Sequence, residues 1–272
     1  MNLALSPAQD CLARHRVRVF GDGRRTLVFG PGFGCQQTVW EPVAMELARE
    51  HRVVLFDFHL DHAFADNPQA PPYDSLWAHG TDVVEMLSAL DLHDAIFVGH
   101  SVAGMIGLLA AIQAPKRFER LVMLGPSARH LNDPPHYTGG FERAQVDGLL
   151  DLMDRNFLDW SNTVAPLAFG EFNDPAYAAD FQARLCRQDP RALREFLKLT
   201  LLSDHRAELA RCPVPVLVVQ NPHDDFVPLA ATRHLVDQLP DARLRLLDAS
   251  GHCPHISHPC QVIRALRESL TA

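Results

Sequence analysis

Apolar positions along this chain follow two rhythms. Thr26 to Phe29, Arg52 to Phe58, Ala95 to Val98, Leu121 to Leu124 and Val214 to Gln220 are short, largely unbroken apolar runs. Such runs suit strands buried on both faces of a parallel sheet. Between them, Val39 to Glu50 and Ser75 to Leu90 repeat apolar residues every three or four positions, the second with Leu76, Val83, Leu87 and Leu90 on one stripe, as amphipathic helices do. Arg16 to Phe20 alternates polar and apolar residues ahead of Gly21-Asp22-Gly23 and reads as one arm of a hairpin whose second arm is the strand from Thr26. Leu244 to Leu247 is a last strand, and the chain ends in helix. The pattern predicts an α/β fold, a mostly parallel twisted sheet with helices on both faces.

The alternation breaks once. From Ala128 to Ala210 no strand is evident, but Phe141 to Phe157, Trp160 to Leu167, Pro175 to Cys186 and Pro190 to Leu202 have helical spacing. A crossover between parallel strands needs only about a dozen residues, so this segment reads as an inserted cap. The expected organisation is a core of residues 1–127 and 211–272 with a helical cap of 128–210.

Composition narrows the partners. A net charge of −8 with scattered arginines offers no basic face for nucleic acid or anionic membrane. No apolar run approaches a membrane span and the first residues lack a signal-peptide pattern, so a cytoplasmic location is expected. Six cysteines show neither close pairing nor a Cys-x-x-Cys spacing, which suits free thiols in a reducing compartment.

The chemistry gathers where strands end. Ala95 to Val98 runs into Gly99-His100-Ser101-Val102-Ala103-Gly104, a strand that stops at a serine and restarts as small residues. This fits a nucleophile elbow, where small neighbours let the chain turn sharply; it also fits a buried strand entering a helix with Ser101 as its N-cap. Gly30-Pro31-Gly32-Phe33-Gly34-Cys35 is a glycine-rich loop after the second strand, able to present backbone N–H groups or to be a plain turn. Asp224 follows the strand ending at Gln220, and His252 follows the last strand. A serine hydroxyl needs a histidine to take its proton and a carboxylate to orient that histidine. The order serine, acid, histidine is that of α/β-hydrolases. His59, Asp61, His62 and Asp66 match no closed metal site, and Pro254 and Pro259 argue against a shared face for His252, His255 and His258, so no metal and no cofactor are expected.

Taken with these motifs, the chain resembles the α/β-hydrolases of the RsbQ group, with the plant strigolactone and karrikin receptors as cousins. The shared segments are Gly32 to Cys35, Gly99 to Val102, Met105 to Gly107, Leu131 to Pro135, Tyr137 to Phe141, Ser203 to Arg206 and Gly251 to Pro259. The resemblance implies a triad of Ser101, Asp224 and His252, an oxyanion hole from the backbone N–H groups of Phe33 and Val102, and a four-helix V-shaped cap. Phe157, Trp160, Phe169 and Phe196 are candidates for an apolar pocket under that cap. The segment from Phe58 to Asp66 departs from the family's glycine-rich turn, so its shape does not carry over. Two functions are expected in competition: a cofactor-free serine hydrolase acting on a small apolar ester or lactone, and a signalling protein whose ligand binding or slow hydrolysis regulates a partner, which for RsbQ is a phosphatase carrying a PAS domain. A dehalogenase would need a carboxylate in place of Ser101.

Overall fold

The computed structural model describes residues 6–60 and 73–271. Among them, seven strands form one sheet in the order β1-β3-β2-β4-β5-β6-β7. They are β1 (Arg18–Phe20), β2 (Thr26–Gly30), β3 (Arg52–Leu55), β4 (Ala95–His100), β5 (Phe118–Leu124), β6 (Val216–Gln220) and β7 (Ala242–Leu246). Every adjacent pair is parallel except β1 with β3. Alternate residues of the central strands feed two separate cores, as a pleat requires. Val28, Val54 and Phe97 pack against α3 (Leu76–Ala89) and α4 (Val102–Gln113). Leu27, Phe29, Ile96 and Val98 pack against α2 (Glu41–Leu47) and the last described helix, Pro259–Thr271. The unbroken apolar runs of β2 and β4 follow from this two-sided burial.

Among the described residues, five helices stand between β5 and β6, the last a single turn at Arg206–Leu209. The four longer ones are α5 (Arg143–Arg155), α6 (Phe157–Phe169), α7 (Pro175–Leu185) and α8 (Pro190–Leu202). Their starts are set by sequence. Asn156, Asp174 and Asp189 each accept a backbone N–H as N-cap, and α7 and α8 have proline in the first turn, where its fixed φ costs no hydrogen bond. They build a third core around Trp160, Phe169, Leu193 and Leu201. Among the described residues no helix is long and apolar enough to cross a membrane, and the six cysteines are free.

Three readings of the sequence are corrected. β1 does not pair with β2; it lies antiparallel to β3, with Arg18 opposite Leu55 and Phe20 opposite Val53. Gly21 and Gly23 serve close approach rather than a tight hairpin: a Cβ would stand 2.3 Å from the His51 carbonyl at Gly21 and 2.1 Å from that of Glu50 at Gly23. β3 ends at Leu55 rather than Phe58, because the Asp57 carboxylate accepts the Gln37 N–H and the Asp57 N–H is donated to the His15 carbonyl. A first helix, α1 (Pro7–Arg14), precedes the sheet and begins with a Ser6–Gln9 capping box, a signal present in the sequence but not read there. The candidate metal residues Asp61, His62 and Asp66 and most of the atypical segment after Phe58 lie outside the described residues. Among the described residues no group of three or more His, Cys, Asp or Glu is placed to hold a metal ion.

Candidate active site

Ser101 sits between β4 and α4 with φ 54° and ψ −121° and makes no side-chain cap, so it is a strained turn residue and not the ordinary N-cap. A non-glycine residue there persists only where its surroundings fix it. The Ser101 N–H is tied to the Leu124 carbonyl of β5 at 2.7 Å. Gly99 has to be glycine, since a Cβ would stand 2.6 Å from the backbone of Ala103 and Gly104. Ala103, where the elbow pattern has glycine, fits because it faces Gly30 of β2, which has no Cβ of its own.

The acid and the histidine come from the loops after β6 and β7. His252 Nδ1 donates to Asp224 Oδ2 at 2.8 Å, and the Asp224 side chain is 2% exposed. Asp224 Oδ1 accepts the N–H groups of Phe226 and Val227 at 2.9 and 3.1 Å, and Oδ2 also accepts Gln220 Nε2 at 3.1 Å. Burial alone would raise this carboxyl, but the His252 charge and these hydrogen bonds outweigh it and hold it below the ordinary carboxylate range. An ionised Asp224 can only accept, so a ring proton of His252 sits on Nδ1.

Ser101 and His252 line one narrow cavity of about 50 Å³ with Phe33, Trp160, Val164, Ala168, Leu197, Leu201 and Phe226. Among the described residues no hydrogen bond joins Ser101 Oγ to His252; such bonds are often long in an unliganded site and tighten with substrate. The backbone N–H groups of Phe33 and Val102 take no carbonyl of the described residues. Val102 is the first residue of α4, where the helix leaves N–H groups unpaired.

Of the four aromatic residues singled out from sequence, only Trp160 lines this cavity. Phe157 stacks on Trp160 at 5.3 Å, and Phe169 packs against Tyr177 and Phe181 of α7. Phe196 stacks on Phe33 at 6.1 Å and contacts Phe58 and His79 on the far side. The reason is helix rotation: Trp160, Val164 and Ala168 repeat at four residues and share the inner stripe of α6, whereas Phe169 is one step, or about 100°, off it.

Sequence reasoning missed His100, Gln220 and Asn221. A ring nitrogen of His100 bonds the His252 carbonyl at 2.8 Å, and burial holds its pKa at about 3, so the ring is neutral and donates. Gln220 bridges Asp224 to the Val227 carbonyl, and Asn221 reaches the Gly251 carbonyl. Buried polar residues at strand ends were their signal.

The chain belongs to the alpha/beta hydrolase family, which its residues 27–265 match. It is 32% identical to the strigolactone esterase of Pisum sativum over 94% of this chain and 96% of that one. It is 33% identical to the karrikin insensitive 2 receptor CA of Petunia hybrida over 93% of this chain and 94% of the receptor. Among solved structures, a hydrolase from Oleispira antarctica superposes with a TM-score of 0.91 at 29% identity, covering 99% of both chains. The likeness to strigolactone and karrikin proteins read from the sequence is borne out.

Proposed function

We propose that this protein is a serine hydrolase that cleaves a small, apolar carboxylic ester or lactone through an acyl-enzyme. The observation that carries the reading is the 2.8 Å bond joining a buried Asp224 to His252, which lines the same cavity as a strained Ser101. Ser101 Oγ attacks the ester carbonyl while His252 Nε2 takes its proton. The carbonyl oxygen gains charge and is met by the N–H groups of Phe33 and Val102, donors fixed before the reaction begins. The imidazolium, held by Asp224, then protonates the leaving alcohol. Water then gives a proton to His252 as its oxygen adds to the acyl carbon, and the bond to Ser101 Oγ breaks as the imidazolium returns that proton to Oγ, releasing the acid. The segment 128–210 acts as a lid that keeps bulk water off the acyl-enzyme, and the chain needs no cofactor for these steps.

Incubation with a fluorophosphonate probe tests the reading. A single label on Ser101, with multiple turnovers of a short-chain p-nitrophenyl ester, supports it; no labelling and no turnover reject it.

Trp160 and Phe196 separate the inner wall from plain packing. Trp160→Ala should shift kcat/KM toward longer acyl chains, since each methylene seated in an apolar site contributes about 0.8 kcal/mol. Phe196→Ala should lower the melting temperature, a buried aromatic costing about 3–5 kcal/mol on truncation, and leave the chain-length ranking alone. Kinetics over an acyl series with thermal melts check both.

A second reading is favoured by relatives named as receptors: the protein binds or slowly hydrolyses a ligand to signal to a partner. A single slow turnover accompanied by a change in cap stability supports it, and sustained turnover supports the first.

A further inference from the structure

The loop that carries His252 is tied down from two directions. From the sheet side, the Gly251 N–H reaches the His223 carbonyl at 2.8 Å, Asn221 Nδ2 reaches the Gly251 carbonyl at 2.5 Å, and His100 holds the His252 carbonyl. The other tethers come from the cap. The His252 N–H donates to the Ala168 carbonyl in the last turn of α6 at 2.8 Å. Asn173, in the turn between α6 and α7, donates through Nδ2 to the Phe169 carbonyl at 2.6 Å and to the Ser250 carbonyl at 3.0 Å, with Ser250 Oγ at 3.2 Å. One amide therefore bonds the end of α6 and the loop that leads into His252. The two backbones meet without slack. Gly251 has φ 81°, and a Cβ on it would stand 2.3 Å from the Phe169 carbonyl oxygen.

Part of what fixes the histidine loop is thus supplied by an element outside the sheet. Asn173 is half-buried and points to none of the reacting atoms. Its only partners among the described residues are backbone and side-chain oxygens of the cap turn and the histidine loop. α6 also supplies Trp160, Val164 and Ala168 to the cavity wall. A ligand pressing on that wall therefore bears on the same turn that holds the histidine.

We propose that Asn173 is a positioning residue for His252: by joining the Phe169 and Ser250 carbonyls it seats the cap turn on the histidine loop and keeps the imidazole aligned between Asp224 and Ser101. This rests on the hydrolase reading above. Alignment of the triad then depends on a seated cap, and a side chain that touches no substrate sets the rate of the chemical step.

The test uses Asn173→Asp, which keeps the shape but turns a carboxylate oxygen toward two carbonyls, and Asn173→Ala, which removes the donor. Circular dichroism confirms folding. With a p-nitrophenyl ester, kcat should fall about 10- to 100-fold, the scale on which a misplacement of about 1 Å acts. KM should stay within about twofold, as for an interaction felt in the transition state only. The rate of fluorophosphonate labelling of Ser101 should fall in parallel. Thr38→Val removes another cap-to-core bond, from Arg184 at 3.0 Å, and should leave kcat unchanged. A lowered melting temperature with unchanged kcat in the Asn173 variants would make the residue merely structural and overturn the proposal. So would a loss confined to KM, or an equal loss in Thr38→Val. A wild type that neither labels nor turns over removes the hydrolase reading instead; an active wild type beside unaffected Asn173 variants removes this proposal alone.

Discussion

Ser101→Ala should abolish fluorophosphonate labelling and lower ester turnover by on the order of 10⁶-fold, the scale of losing a nucleophile that works as part of a unit. The fold should survive. Alanine keeps the N–H that donates to Leu124 and has the same backbone cost at φ 54°, so the melting temperature should stay near that of the wild type. The cavity remains, and a substrate ester should still bind with a similar dissociation constant while the attacking oxygen is missing. Labelling of the variant at the wild-type rate would take Ser101 out of the mechanism.

Asp224→Asn should lower kcat by about 10⁴-fold, the scale seen when a triad histidine is held in the wrong tautomer. The geometry dictates how the amide sits. The oxygen at Oδ1 is claimed by the Phe226 and Val227 N–H groups, so the new NH₂ falls on the side of His252 and Gln220. It then meets Gln220 Nε2, another donor, and forces the ring proton from Nδ1 to Nε2, which can no longer take a proton from serine. The adjacent Asp225 is exposed. Asp225→Asn should change kcat within about twofold, as surface substitutions do. Parallel kcat measurements on the two variants decide the assignment, and the reverse ranking rejects it.

The site was legible in the sequence to the extent that its parts end strands. Ser101 stands between Gly99 and Ala103 because only small residues fit the turn, Asp224 follows the buried apolar run of β6, and His252 follows the adjacent parallel strand β7, so that their carboxyl ends share one edge of the sheet. The hairpin misreading has a physical cause: a Gly-x-Gly segment is demanded equally by a tight turn and by a backbone passing within van der Waals contact of another. Gly21 and Gly23 serve the second need at His51 and Glu50. The pocket aromatics were chosen by type, yet exposure to the cavity is a matter of phase. Leu197 lines it, while Phe196, one residue earlier, packs behind Phe33. The stripe Trp160, Val164, Ala168 carried that information. Polar residues at strand ends hinted at Asn221 and His100, but the partners of these two and of Asn173 in the histidine loop were not readable, because each is a backbone carbonyl distant in sequence, and a carbonyl leaves no mark on composition.

The three groups of the site differ in how firmly the sheet holds them. Ser101 follows β4, which has a hydrogen-bonded neighbour on each side, whereas the histidine loop follows β7, paired only with β6 and exposed at Arg243, Arg245 and Leu246. Local opening free energies run from near zero at frayed edges to the global value in the core. Amide exchange should therefore be fastest, among the strands from β4 to β7, in β7 and slowest in β4. On warming, hydrolysis should fade while the far-UV signal of the sheet persists, because releasing one edge strand frees the base from the nucleophile without unfolding the rest.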